Sequence, residues 1–255
     1  MTGFTVMIPA RYGSSRFPGK PLADLQGRPV IHHVAERATE SGAERVLVAT
    51  DDERIRRCCT DAGIEAVFTT GDHASGTERL GEVVAQLDLA DDAIVVNLQG
   101  DEPLMPPAFI RRVAEALVGA ETAPVATLVT PVDEPAALHN PNVVKVVRDA
   151  AERALYFSRA PIPWDRDRAG QVSAPERHWC RHLGIYAYRA DLLRRYARLA
   201  VSPLESIEAL EQLRLLWHGI AIQTATVHGD AGPGVDTPED LERLRQRLGL
   251  TGEGH

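Results

Sequence analysis

Three cations, Arg11, Arg16 and Lys20, stand in one short stretch, Ile8-Pro9-Ala10-Arg11-Tyr12-Gly13-Ser14-Ser15-Arg16-Phe17-Pro18-Gly19-Lys20-Pro21, directly after the first apolar run. Gly13, Gly19, Ser14 and Ser15 are interspersed among them. Glycine permits positive φ and close backbone approach, so such a loop can turn backbone N–H groups and cationic side chains onto one polyphosphate. Arginine forks onto phosphate oxygens, whereas lysine brings a movable point charge. The stretch is not a P-loop, since Lys20 is followed by Pro21, and it contains no G-x-G-x-x-G. A solvated surface loop is the alternative, and the paired Gly and Pro punctuation after a strand disfavours it.

The elements that would position this loop follow an α/β pattern, in which short apolar runs alternate with amphipathic helical ones. Residues 5–8 predict a first strand, and Val30, Ile31, Val34, Ala35 and Ala38 recur on one helical face. Residues 45–50 and 65–68 predict further strands, with Asp51-Asp52 marking a helix start between them. Leu80, Val83, Val84 and Leu87 mark a helix after the Ser75-Gly76-Thr77 turn. Residues 93–98 predict a buried central strand that leads into Gln99-Gly100-Asp101-Glu102-Pro103. This order predicts a Rossmann-like, mostly parallel sheet flanked by helices, with ligands gathered beyond the carboxyl ends of the strands. The loops 11–20, 72–79 and 99–103 all follow strands, so they can converge on one crevice.

From about residue 126 the pattern shifts to strands with fewer helices between them. Residues 143–147, 154–157 and 182–188 predict a mixed or antiparallel extension. Residues 160–181 hold Pro161, Pro163, Gly170, Pro175 and many charges, which predicts a loop or lid. Leu204, Ile207, Leu210, Leu213 and Leu216 predict one helix, and 222–227 another strand. Thr237 is placed as an N-cap, with Pro238 at the first helical position and Glu239 and Asp240 in the first turn.

Composition narrows the function. The 255 residues suit one domain, and 44% hydrophobic with 25% charged residues is ordinary for a soluble globular protein. A net charge of −8 argues against a nucleic-acid or anionic-membrane binder. Cys58, Cys59 and Cys180 form no disulfide framework and no C-x-x-C, and the nine histidines include no H-E-x-x-H pair. No apolar run approaches the ~20 residues of a membrane helix. Met1-Thr2-Gly3 runs straight into the first apolar stretch, leaving no room for a signal peptide, so a cytoplasmic enzyme is expected.

The opening loop resembles the nucleotide-binding signature of sugar nucleotidyltransferases, and its spelling is similar to that of the CMP-Kdo synthetase family, the 3-deoxy-manno-octulosonate cytidylyltransferases. The likeness continues through Asp72-His73-Ala74-Ser75-Gly76-Thr77-Glu78-Arg79, Asn97-Leu98-Gln99-Gly100-Asp101-Glu102-Pro103 and Asn142-Val143-Val144-Lys145-Val146-Val147. Tyr156-Phe157-Ser158-Arg159, Arg181-His182-Leu183-Gly184-Ile185-Tyr186 and Ser202-Pro203-Leu204-Glu205 follow in order. Glu211-Gln212-Leu213-Arg214 and Gly234-Val235-Asp236-Thr237-Pro238-Glu239-Asp240-Leu241-Glu242 complete the series, so nearly the whole chain is covered.

The resemblance implies a nucleotide-diphospho-sugar transferase fold and the reaction of CTP with Kdo to give CMP-Kdo and pyrophosphate for lipopolysaccharide biosynthesis. It implies magnesium held by Asp101 and Asp236, each of which has a plain alternative as a turn or helix-start aspartate. It implies Ala10, Arg11, Gly13, Ser14, Arg16 and Lys20 on the triphosphate side, with Lys20 near the leaving group. Ser75, Gly76 and Gln99 would face the nucleoside, although Gln99 also suits a strand-end amide bonded to backbone. Arg159, His182, Tyr186, Glu211 and Gln212 match positions that line the acceptor pocket. Positions 182 and 186 share a strand face, which equally suits an ordinary half-buried strand. Glu211 equally suits a solvated helix face.

No Ser, Cys or His nucleophile constellation is evident, so direct in-line attack by a sugar hydroxyl is expected, with no proton acceptor identified. Homodimers are implied too. The chain then reads as one domain, with 1–125 binding nucleotide, 126–230 serving the sugar and the dimer, and 231–250 supplying the second aspartate and a final helix. The alternatives are a cytidylyltransferase for another acid sugar such as a sialic acid, and a non-catalytic nucleotide-binding regulatory module.

Overall fold

The structure, a computed structural model, describes residues 3–71, 73–120, 122–132, 134–167 and 179–252. Asp72 and half of the expected lid, residues 168–178, lie outside the described residues.

The first half alternates strand and helix as its periodicity predicts: β1 (Phe4–Ala10), the small hairpin β2 (Asp24–Leu25) and β3 (Arg28–Pro29), α1 (Val30–Glu40), β4 (Arg45–Thr50), α2 (Glu53–Asp61), β5 (Glu65–Phe68), α3 (Gly76–Gln86), β6 (Ile94–Asn97) and α4 (Pro107–Val118). The second half holds β7 (Val125–Pro131), α5 (Pro135–His139), β8 (Lys145–Arg148), β9 (Ala154–Ser158), β10 (Cys180–Arg189), α6 (Ala190–Tyr196), α7 (Pro203–Glu208), α8 (Leu213–Trp217), β11 (Ile222–Thr226) and α9 (Pro238–Gly252).

One nine-stranded sheet runs through both halves in the order β11-β7-β10-β6-β1-β4-β5, with β8 paired to β10 and β9 to β8. β6, β1, β4 and β5 are mutually parallel, and so are β7 and β11; β10 runs antiparallel between the two groups. The β8–β9 extension is antiparallel. Alternation along β1 sends Val6, Ile8 and Ala10 into a core with α1 and α4, and Met7 into a second core with α3 and α6. Each fully buried aliphatic side chain contributes about 1.5–3 kcal/mol, so both faces hold the sheet.

β10 carries a bulge. Leu183 pairs with Leu128 and Tyr186 with Thr127, so Gly184 and Ile185 have no opposite number. The Thr127 hydroxyl lies 3.2 Å from the Leu183 carbonyl and 2.8 Å from that of Ile185, which anchors the kink. β6 pairs with the second half of β10, and β8 with the first half. The sheet therefore forks where β6 ends, beside the loop that carries Gln99 and Asp101.

One expectation fails. Residues 204–216 do not form a single helix: Ala209 adopts the left-handed region at φ 50°, ψ 51° and separates α7 from α8. Glu211 consequently lies in the connector between them, not on a helix face. The leucine spacing is helical, but Ile207 is 80% exposed and contributes nothing to the core.

Candidate active site

The cationic loop closes on itself after β1. Gly19, at φ 75°, donates its N–H to the Tyr12 carbonyl at 2.9 Å, and a Cβ there would stand 3.0 Å from the Tyr12 ring. Glycine is needed both for the backbone conformation and for the ring. The turn delivers Lys20 Nζ to within 2.5 Å of Asp101 and 3.5 Å of Asp236, and Arg16 meets Asp236 at 3.0 Å.

The two aspartates are held toward each other by backbone. The Asp101 carbonyl accepts the Val235 N–H at 2.8 Å, which fastens the turn after β6 to the turn before α9. Thr237 caps α9, receiving the Asp240 N–H at 3.2 Å, while the Asp240 carboxylate accepts the N–H groups of Asp236 and Thr237. Glu102 completes an acidic trio. Burial, with Asp101 and Asp236 close by, raises its carboxyl to about 7. Sequence reasoning passed over Glu102, and its signal is the carboxyl adjoining Asp101.

These groups line a cleft of about 220 Å³. Ala10, Arg11, Ser14, Arg16, Lys20, Asp101 and Asp236 line it together with Ser75, Gly76 and Gln99. Gly13 is exposed and not part of the lining. Ser75 is the N-cap of α3, accepting the Glu78 N–H at 3.2 Å, so that helix starts at the cleft wall. A Cβ on Gly76 would meet Pro9 at 3.0 Å, which explains why this turn is small. The Gln99 amide donates to Asn97 Oδ1 at 3.3 Å, leaving Oε1 as an acceptor. Arg79 was not among the expected site residues, yet it lines the cleft, buried against Asp51 at 2.9 Å and Thr69 at 2.5 Å.

Asp101 and Asp236 both reach one ammonium, so their spacing suits a single small cation between them. Their carboxylate oxygens are the hard donors that magnesium takes, usually one or two with phosphate and water completing the shell. Among the described residues no group of three His, Cys, Asp or Glu side chains is arranged to hold a metal.

A second group of residues gathers at the fork of the sheet. His182 and Tyr186 share the same face of β10, their rings 5.3 Å apart, with Phe157 5.1 Å from His182. Burial, reinforced by Arg181, lowers the His182 pKa to about 3, so the imidazole is neutral. Tyr186 Oη and Gln212 Nε2 are buried with no hydrogen-bond partner. A buried polar atom left unpaired costs about 1–3 kcal/mol, so these two atoms point to a polar ligand. Glu211 accepts the Ser75 hydroxyl at 2.9 Å and joins this group to the cleft.

Arg159 is directed differently. Its guanidinium donates to the carbonyls of Glu208, Pro141 and Ala209, and two of its five N–H groups remain. Lys145, also outside the expected set, is fully buried, its ammonium donating to Arg159 O at 2.6 Å and Asn140 O at 3.0 Å.

A family model described as cytidylyltransferase matches residues 5–222. A 3-deoxy-manno-octulosonate cytidylyltransferase of Halorhodospira halophila is 59% identical over 253 residues, covering 97% of this chain and 98% of that one. Its counterpart in Alkalilimnicola ehrlichii is 56% identical over 255 residues, covering 98% of each chain. A solved structure of a CMP:2-keto-3-deoxy-manno-octonic acid synthetase complexed with CTP superposes with a TM-score of 0.89 at 44% identity, covering 98% of this chain and all of that one. With a cationic loop, an aspartate pair and a polar fork in one sheet, and with relatives matched from end to end, the chain belongs to the cytidylyltransferase family.

Proposed function

We propose that this chain transfers the cytidylyl group of CTP to 3-deoxy-manno-octulosonate (Kdo), giving CMP-Kdo and pyrophosphate for lipopolysaccharide biosynthesis. The observation that carries this reading is a single cleft where Arg11, Arg16 and Lys20 face Asp101 and Asp236. The names of relatives 54–59% identical to the chain support the acceptor.

Transfer requires an oxygen nucleophile to approach a polyanion, and fixed cations relieve that repulsion. Arg11 and Arg16 hold the triphosphate oxygens, and Lys20 neutralises charge near the departing pyrophosphate. Asp101 and Asp236 would hold magnesium, which supplies charge stabilisation at the phosphates. Gln99 Oε1, fixed by Asn97, accepts from the cytosine amino group, and the small turn at Ser75-Gly76 admits the base. His182, Tyr186, Glu211 and Gln212 bind acceptor hydroxyls, and the free N–H groups of Arg159 suit the sugar carboxylate. The acceptor hydroxyl attacks the α-phosphate in line, without a covalent enzyme intermediate.

The division of labour follows, with 1–125 binding nucleotide and 126–230 the sugar. No helix among the described residues is long and apolar enough to cross a membrane, and a cytoplasmic site of action suits a CTP-consuming enzyme. A homodimer is part of the reading: Leu155, Ile207 and Trp217 are exposed on β9, α7 and α8, large apolar side chains that a second copy would cover.

The test is pyrophosphate release from CTP and magnesium across a panel of acid sugars. Kdo should be the preferred acceptor. Preference for a sialic acid would replace the substrate, and nucleotide binding without turnover on any sugar would make the chain a binding module.

A further inference from the structure

We propose that Arg214 is a positioning residue that couples the two substrate sites, so that CTP and the acceptor each bind more tightly when the other is present. This rests on the cytidylyl-transfer reading of the cleft. Arg214 is 4% exposed and spans two elements. One arm donates to Glu78 in the first turn of α3 at 3.1 Å, and the fork of Nε and the other arm grips Glu205 in α7 at 2.9 and 2.7 Å. Glu78 in turn accepts the Ala74 N–H at 3.0 Å, in the very turn that lines the nucleotide cleft. The Ser75–Glu211 hydrogen bond runs parallel to this bridge. The turn against CTP and the connector carrying Glu211 and Gln212 are therefore tied at two points.

What makes the tie consequential is α7 itself. None of its residues is fully buried, Leu204 packs against the core only partly buried, and a left-handed Ala209 ends the helix. Its place depends on polar fastenings: the Ser202–Glu205 capping box, the Arg214 fork, and Glu208 accepting from Ser158 and the Arg159 N–H. An element with so slight a core anchor has a second, undocked arrangement within reach, and a buried arginine between two carboxylates decides between them. Ordering the α3 turn with nucleotide fixes Glu78, and through Arg214 it fixes the connector that faces the acceptor. Linkage then requires the acceptor to tighten CTP by the same factor.

The experiment titrates CTP, with magnesium, in the absence and presence of a Kdo analogue lacking the attacking hydroxyl. Wild type should bind CTP at least about fivefold more tightly with the analogue present. Glu78→Gln, which weakens one arm and leaves the Glu205 fork, should cut that gain below about twofold while leaving CTP affinity alone within about twofold. Its kcat/KM for Kdo should fall about tenfold at saturating CTP, and Arg214→Lys should retain an intermediate gain, having charge but no fork. If Arg214→Lys does not fold, Glu78→Gln decides. A purely structural bridge would lower melting temperature with the gain intact, and that result overturns the proposal. So does a turning-over wild type with no gain. A wild type that releases no pyrophosphate from CTP and Kdo overturns the functional reading itself.

Discussion

At Lys20 one ammonium faces two carboxylates, Asp101 at 2.5 Å and Asp236 at 3.5 Å. Removing it leaves Asp101 without this cation and Asp236 with Arg16 alone, in the cleft proposed to hold the triphosphate. Lys20→Ala should therefore weaken CTP binding itself by roughly ten- to a hundredfold, measured by titration without acceptor. Asp101→Asn and Asp236→Asn should instead cut kcat by at least about a hundredfold with melting unchanged, because several kcal/mol of charge stabilisation is lost. Near-wild-type rates at saturating magnesium would remove the pair from the metal role. Gln99→Ala should narrow the preference for CTP over UTP, read as the ratio of their kcat/KM values. His182 carries a different prediction. Its folded pKa near 3 lies below the usual 6.5, so between those values the unfolded chain binds the extra proton. Stability then falls as pH drops from about 6.5 toward 3, and above 6.5 this group contributes no pH dependence. His182→Gln should flatten that acid limb of the denaturation midpoint, and an unaltered limb would assign it to other groups.

Elements were legible where local chemistry alone decides them. β4 and β5 fall on residues 45–50 and 65–68 as their apolar runs predict, and Thr237-Pro238 starts α9 as cap chemistry requires. The Gly and Pro punctuation of residues 8–21 marked the loop, and its cations marked what the loop could hold. The break between α7 and α8 was not legible, since Ala is the best helix former and gives no sign of a left-handed turn. Nor could sequence show that Glu211 would meet Ser75 across 136 positions, because that contact is made by the sheet bringing both halves together. Glu102 and Arg79 stood in view within recognised motifs, but only burial separates them from ordinary surface charges. The left-handed Ala209 has its own consequence. Holding a Cβ there costs about 1–2 kcal/mol, against about 0.5–1 kcal/mol of added chain entropy for glycine. Ala209→Gly should raise the melting temperature by about 1–4 °C, and a fall would show that the methyl group packs favourably.

On the scale of the whole molecule, a continuous sheet runs through both halves of the chain, so neither half is expected to fold as a separate unit. In the proposed homodimer a second copy covers the exposed Leu155, Ile207 and Trp217. Ile207→Glu with Leu155→Glu should halve the sedimenting mass of a dimer, whereas a wild type already monomeric would dismiss that surface. β10 stands at the centre of this sheet, and its bulge imposes an arithmetic on the chain. Two residues, Gly184 and Ile185, are inserted, and an even number leaves side-chain alternation in step on both sides of the kink. His182 and Tyr186 can thus look into the same space although β-pairing is interrupted between them. Deleting Gly184 alone would turn one of the pair through the sheet, whereas deleting both residues would keep them together on one face. Length variation in this strand is thereby confined to steps of two, a parity rule written into the proposed acceptor site.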